Sequence, residues 1–303
     1  MNANLSQADL ERADVLLSEL FKEVQNWEGM LAPGTELGAG ASAIENLRQS
    51  QVGFGNPRDN LVLLTEATFR DSGIELNSTY KEQMQSQYDF YSMTLTVSLR
   101  PKPIVQFWRL TCELNFAPKG KQEAIIQAIF PTEKWRPVMN FGIGMDIGVN
   151  GNLDWSAGVD ASQLTQIIEL LPNELKANAS TKNEIKAFTA IPAYQYELGY
   201  SEIFTSGVGE SICYWRIQDR ELQKVGTVKL AVVFKVPKGT ESINLRGLAA
   251  AEPNVNWLTS DIRDVFSELS DQFKNLLKNK EEAAKQLARG DAKEWVLLLP
   301  KPA

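Results

Sequence analysis

The sequence predicts an α+β fold: a mainly antiparallel β body, with an N-terminal amphipathic helix and a long C-terminal helix packed on it. Apolar residues recur at three- and four-residue spacing near both ends of the chain, which is typical of helices that cover a core. Between these ends the spacing changes to two, which gives a strand one apolar and one polar face. The longest alternating run covers residues 141–161.

Residues 1–57 are predicted to form an N-terminal helical segment. Ser6 and Asp9 have the spacing of a helix-starting box. The apolar stripe that follows consists of Ala13, Leu17, Leu20, Val24 and Trp27, and the helix is expected to end near its last member. Residues 33–42 are interpreted as a loop, and a short helix is expected over 43–51.

Residues 58–257 are predicted to form the β-rich body. Residues 93–99 alternate between large apolar side chains and Thr or Ser, and a second strand is expected over 104–116. Pro101 and Pro103 mark the corner between these strands. Further β-like segments are expected at 185–191, 194–200, 211–217 and 228–236, and a short helix at 162–171.

A weak internal similarity runs through this body. A Pro-Lys-Gly turn ends a predicted strand at Pro118 and again at Pro237, and another strand follows each time. A duplicated β unit is one interpretation of this similarity, and a coincidence of turn chemistry is the other.

Residues 258–303 are predicted to contain a long helix over 259–289 and a final strand over 294–299. The heptad-like stripe of the helix consists of Ile262, Val265, Phe266, Leu269, Phe273, Leu276 and Leu277. Gly290 is expected to end the helix. The final strand is expected to pair with the sheet, because a free apolar strand promotes aggregation.

The composition narrows the function classes. The chain has 303 residues, 43% hydrophobic and 23% charged, as in globular proteins. Its net charge is −7 and no basic run stands out, which argues against nucleic acid as a partner. The first residues do not resemble a secretory signal, and no stretch approaches the ~18 apolar residues of a membrane helix. A cytoplasmic product is therefore expected.

The chain has no histidine and two cysteines, Cys112 and Cys213. The absence of histidine excludes catalysis by a Ser-His-Asp triad or a Cys-His pair, and it removes the commonest ligand of transition metals. The two cysteines lack the spacing of a zinc site and are expected to be buried free thiols. The sequence therefore predicts a protein that is not an enzyme, with no catalytic residue, cofactor or metal.

Several motifs have both a functional and a simpler interpretation. Gly38 to Ala43 has the glycine pattern of a dinucleotide-binding loop, but no strand is predicted before it, so a flexible connector is expected. The Asn and Asp residues at 150, 152, 154 and 160 suggest calcium, but the expected glutamate is missing and strand alternation already accounts for them. Two carboxylate pairs, Asp146 with Asp154 and Glu197 with Glu210, are expected to be solvated charges.

An aromatic cluster is predicted near the end of the β body. It comprises Tyr194, Tyr196, Tyr200, Phe204, Tyr214 and Trp215. Cross-strand packing is the simpler interpretation of these residues, and a binding surface is the alternative.

The alternating run 141–161 predicts an amphipathic β-hairpin with a three-residue turn at Asn150-Gly151-Asn152. This turn places Val149 opposite Leu153 and keeps both on the apolar face. Each arm has about nine residues, close to the roughly 9–11 that cross a bilayer as a tilted strand. The candidate membrane or interface residues are Phe141, Ile143, Met145, Ile147, Val149, Leu153, Trp155 and Val159.

Two functions fit these observations. The first is a non-catalytic structural or protein-interaction protein, such as a subunit of a homo-oligomer, whose partner is itself or another protein. The alternative is a β-pore-forming protein that inserts the hairpin into membrane lipid, with Gly, Asn, Asp and Ser lining water.

Overall fold

Two antiparallel β-sheets packed face to face form the body of the protein, which a computed structural model describes over residues 6–31, 38–71, 76, 78–131, 202–219, 222 and 226–301. Within these residues the helices are α1 (Gln7–Leu31), α2 (Ala39–Gln49), α3 (Glu66–Asp71), α4 (Ser78–Ser86), α5 (Val255–Asp261), α6 (Asp271–Lys278) and α7 (Lys280–Gln286), with 3-10 turns at Pro57–Asn60 and Arg263–Glu268. The strands are β1 (Gln51–Phe54), β2 (Leu61–Leu64), β3 (Tyr88–Arg100), β4 (Phe107–Ala117), β5 (Ile125–Phe130), β6 (Glu202–Ser206), β7 (Ile212–Gln218), β8 (Thr227–Pro237), β9 (Ser242–Pro253) and β10 (Arg289–Leu298). The predicted α+β class is confirmed.

Sheet I has the order β1–β3–β8–β5, with β2 also paired to β3, and sheet II has the order β10–β9–β4–β7–β6. The strand expected over 93–99 is confirmed as the centre of β3, and its alternate residues Met93, Leu95, Val97 and Leu99 are buried. The rings of Phe116 in sheet II and Phe234 in sheet I meet with centroids 4.9 Å apart. The apolar side chains at alternate positions of each strand therefore face the other sheet and form the core.

The N-terminal helix begins as its sequence predicts. The Ser6 hydroxyl accepts a hydrogen bond from the Asp9 backbone N–H at 3.2 Å, and the Asp9 carboxylate accepts one from the Ser6 N–H at 3.0 Å. This reciprocal pair satisfies N–H groups that have no partner within the helix. The helix is longer than predicted and ends at Leu31, while Leu17, Leu20 and the rest of the stripe to Val24 are buried.

The glycine-rich motif is the start of α2, so a flexible connector over Gly38–Ala43 is wrong. The Glu28 carboxylate of α1 accepts hydrogen bonds from the backbone N–H groups of Gly40 at 2.7 Å and Ala41 at 3.0 Å. A Cβ on Gly40 would lie 2.8 Å from the Ile262 side chain. The glycine therefore allows close helix packing, and the position of a bound phosphate is taken by the chain's own carboxylate.

The predicted long C-terminal helix is wrong, because α5, a 3-10 turn, α6 and α7 replace it. The helix is interrupted at Asn279, whose side chain accepts a hydrogen bond from the Glu282 N–H and caps α7. Short polar side chains favour such caps over a helix interior. The predicted stripe still faces the core, since Ile262, Leu269 and Phe273 are buried.

Gly290 does not end a helix; it lies in β10 opposite Ala250. A Cβ there would lie 2.5 Å from the Leu10 side chain of α1, so the glycine lets α1 approach the strand. The final strand is confirmed as paired with β9, and it starts at Arg289, five residues earlier than predicted.

The outer face of sheet I is covered at one end by α4, which the sequence did not predict. The rings of Tyr80 and Phe90 meet at 5.8 Å, and the Lys235 ammonium donates a hydrogen bond to Gln83 at 3.0 Å. The helical stripes of α1, α2 and α5 to α7 belong to the same hydrophobic cluster as the sheets. Among the described helices, none has the length and apolarity that a bilayer span requires.

Candidate interaction surfaces

The eight predicted hairpin residues lie outside the described residues: Phe141, Ile143, Met145, Ile147, Val149, Leu153, Trp155 and Val159. The same holds for Asn150, Asn152, Asp154, Asp160, Asp146, Glu197, Tyr194, Tyr196 and Tyr200. The strands on either side of residues 132–201 are described. β5 precedes it at one edge of sheet I, and β6 follows it at one edge of sheet II.

These two edges lie on the same side of the sandwich. The Ile126 N–H of β5 donates a hydrogen bond to the Glu210 carbonyl, which lies in the β6–β7 turn, at 2.8 Å. The Ile126 carbonyl in turn accepts one from the Gly209 N–H at 2.8 Å. Residues 132–201 therefore join two edge strands that are held next to each other.

The outer face of sheet II carries an exposed aromatic side chain on β6, Phe204, and a half-buried one on β7, Tyr214. The rings of Phe204 and Tyr214 meet edge to face at 6.3 Å, and the Arg216 guanidinium lies 5.5 Å from the Phe204 ring centroid. Phe204 is 47% exposed. Trp215 points the other way and is fully buried, and in the described structure its indole N–H has no hydrogen-bond partner. The three described members of the predicted aromatic cluster are thus divided between surface and core.

The two cysteines are buried between the sheets, as predicted. Burial raises the pKa of the Cys112 thiol and of the Cys213 thiol well above the ordinary value. Both are therefore protonated at neutral pH and poor nucleophiles. Within the described ranges, no three His, Cys, Asp or Glu side chains converge as a metal site.

A polar row crosses the outer face of sheet II and is buried at Arg109 and Glu252. The Arg109 guanidinium on β4 pairs with the Glu252 carboxylate on β9 at 2.9 Å, and both side chains are only 10% exposed. The Arg109 Nε donates a hydrogen bond to the Gln218 side-chain oxygen on β7 at 2.7 Å, and the Gln218 amide donates one to Glu202 on β6. The Arg109 guanidinium also lies 4.1 Å from the Trp108 ring centroid.

This row connects four neighbouring strands through directly opposite residues. It ends at Glu202, the first described residue after 201. The row therefore anchors the strand at which the chain rejoins the body after residues 132–201. The sequence offers one signal for it, because polar residues from Arg109 to Asn115 alternate with the apolar residues of β4, but nothing local identifies their partners.

The Glu252 carboxyl makes stability pH-dependent. Burial raises the pKa of this carboxyl, and the nearby negative charge of Glu281 raises it further. The positive charges of Arg109 and Lys285 lower the pKa, but they do not cancel the rise. The Glu252 carboxyl therefore stays protonated to higher pH in the folded state than in the unfolded state. Its contribution to stability falls as pH rises from the ordinary glutamate pKa through the raised one. Glu252→Gln removes this titration. We expect the free energy of unfolding of the wild type, minus that of the variant, to decrease from about pH 4 to about pH 8 in urea titrations. An increase in this difference over the same range would show that the ion pair with Arg109 lowers the Glu252 pKa more than burial raises it.

No family and no curated protein matches the sequence. Among solved structures, the chain is similar to a "Pore forming protein", with 9% identity, a TM-score of 0.32, and coverage of 68% of this chain and 79% of that one. It is also similar to the NetB toxin of Clostridium perfringens in the membrane inserted form, with 9% identity, a TM-score of 0.30, and coverage of 67% and 83%. The collagen-binding domain of a Staphylococcus aureus adhesin has 8% identity, a TM-score of 0.23, and coverage of 70% and 88%. Similarities this low do not assign a function.

Proposed function

We propose that this chain is a non-catalytic, self-associating β-sandwich protein that perforates membranes with a hairpin formed by residues 141–161. The observation that carries the proposal is topological. β5 ends at one edge of sheet I and β6 begins at the adjacent edge of sheet II, with 132–201 between them. An insert at this position can change its conformation without breaking a pair between two central strands.

The alternation within 141–161 supports insertion. A bilayer accepts β-structure only when every backbone group is paired, so one hairpin is insufficient and several copies must close a barrel. In such a barrel Phe141, Met145 and Trp155 would contact lipid, while the intervening Gly, Asn, Asp and Ser residues would line water. Self-association is therefore part of the proposal.

The rest of the sandwich is suited to staying folded during this change. Its core is shared by both sheets and the helices. The polar row from Glu252 through Arg109 to Gln218 holds β6 in register at the point where the insert rejoins the body. The body can thus act as a fixed support for the hairpin.

An interaction protein without membrane activity is the second candidate. The surface formed by the exposed Phe204 and Arg216 and the half-buried Tyr214 favours it, because aromatic residues and arginine are enriched at the centres of protein interfaces.

Dye release from liposomes, measured together with light scattering of the detergent-extracted protein, separates the two candidates. Release accompanied by an oligomer of defined size supports the pore. Oligomers or partner complexes without release, in both neutral and anionic vesicles and at neutral and acidic pH, contradict the pore and favour the second candidate.

A further inference from the structure

A groove of 430 Å³ opens on the outer face of sheet II, where β4, β9 and β10 run side by side. It lies on strands other than β5 and β6, which flank residues 132–201. Its size is within the range of small-molecule binding sites, about 300–1,000 Å³.

Four polar side chains line this groove. Asn115, Arg246 and Glu294 are directly opposite one another on three neighbouring strands. Opposite residues have Cβ atoms about 4.5–5.5 Å apart, so these three groups form a row across the groove. Asn244 lies in the next row beside Ala117, whose short side chain leaves space above the sheet.

These four side chains are free to bind a ligand. Within the described structure, no hydrogen bond or ion pair engages the side chain of Asn115, Asn244, Arg246 or Glu294. The groove is built on three paired strands, and on the opposite face of β10 the Trp295 ring packs edge to face on Phe54 with centroids 5.4 Å apart.

The charges disfavour an anionic ligand. Arg246 provides one positive charge, while Glu294 and the neighbouring Glu113 provide two carboxyls; burial raises the Glu113 pKa, partly offset by Arg246. Phosphates and other anions would meet at least one uncompensated carboxylate, so they are disfavoured. A single groove-lining carboxylate also provides too few oxygen ligands for a hard cation.

Hydroxyl groups match the donors and acceptors that remain. Arg246 only donates, an ionised Glu294 only accepts, and the amides of Asn115 and Asn244 do both. A polyhydroxyl ring presents neighbouring oxygens that both donate and accept, and planar guanidinium and amide groups can bind such pairs. Val296, whose side chain is exposed on this face, provides apolar contact for the C–H face of the ring. We propose that this groove binds a neutral sugar, and that it does so independently of the hairpin.

The test is saturation-transfer NMR and titration with the methyl glycosides of galactose, glucose, mannose and N-acetylglucosamine, with sialyllactose as the anionic probe. At least one neutral glycoside is expected to bind. Arg246→Ala and Asn115→Ala should each weaken that binding about tenfold to a hundredfold, since each removes hydrogen bonds to the ligand. Arg263→Ala is the matched control: it removes an exposed arginine outside the groove and should leave binding unchanged.

Two further binding experiments identify the source of the sugar. Binding to vesicles that carry a neutral galactosyl glycolipid indicates a lipid-borne glycan, and binding to a desialylated glycoprotein indicates a protein-borne one. Either result supports the site if the free glycoside competes and Arg246→Ala abolishes it. Absence of binding to every neutral probe, preference for sialyllactose, or equal binding by Arg246→Ala overturns the proposal. None of these outcomes depends on membrane leakage, so they leave the pore proposal to its own test.

Discussion

Met145→Asp is expected to abolish dye release from liposomes while the sandwich stays folded. Met145 lies in the middle of the first predicted arm, on the parity that would contact lipid. A charged residue on the lipid face of a membrane barrel costs about 1–3 kcal/mol near the midplane, and a ring of identical copies incurs that cost once per copy. Insertion should therefore fail, whereas binding to the vesicle surface need not.

Ser156→Lys is the matched control for this prediction. With the three-residue turn, residue 156 lies on the second arm opposite Asp146 of the first arm, on the parity that would line water. A charge complementary to Asp146 should be tolerated there and change release by less than about threefold, the shift expected of a surface substitution. Equal loss in both variants, or full release by Met145→Asp, would contradict an inserted amphipathic hairpin. Circular dichroism and the urea midpoint check that both variants are folded.

Arg109→Met is expected to give the largest loss of stability among single changes on the outer face of sheet II. The substitution keeps much of the side-chain volume but leaves Glu252 buried without its partner at 2.9 Å and removes the hydrogen bond to Gln218. Breaking a buried ion pair by removing one partner costs about 3–5 kcal/mol. Urea unfolding should show a loss of this size, with an unchanged dependence of the free energy on urea concentration.

The double variant Arg109→Met with Glu252→Met separates the two causes of this loss. If the unpaired carboxylate is responsible, the double variant should regain most of the lost stability, because buried pairs are often replaced by apolar residues at little cost. A double variant as unstable as Arg109→Met would instead show that Gln218 or the Trp108 ring carries the effect. Arg216→Met, a change at an exposed arginine of the same sheet, should alter stability by less than about 0.5 kcal/mol.

Features that depend on a few consecutive residues could be predicted. The Ser6–Asp9 box starts α1, and the alternation over 93–99 belongs to β3 with its apolar parity inside. The apolar spacing within 262–277 also identified the buried side of the C-terminal helices. It did not show where the helices break, because a cap at Asn279 interrupts the backbone without interrupting the stripe.

The two polar clusters could not be predicted. Glu252 meets Arg109 only because β9 pairs with β4, and the groove exists only because Asn115, Arg246 and Glu294 occupy opposite positions on three strands. Each strand on its own shows only a polar residue at an alternate position. The hairpin over 141–161 stays a prediction, since it lies outside the described residues.

The sequence by itself determined the α+β class, the alternation that makes each strand two-faced, the start of α1 and the burial of Cys112 and Cys213. Tertiary structure decided which strands are neighbours, that Glu28 occupies the start of α2, and that β5 and β6 lie side by side at the ends of the 132–201 segment. The physical reason is range. Capping and alternation act between residues a few positions apart, whereas strand order and close helix packing depend on how distant segments bury their apolar faces together.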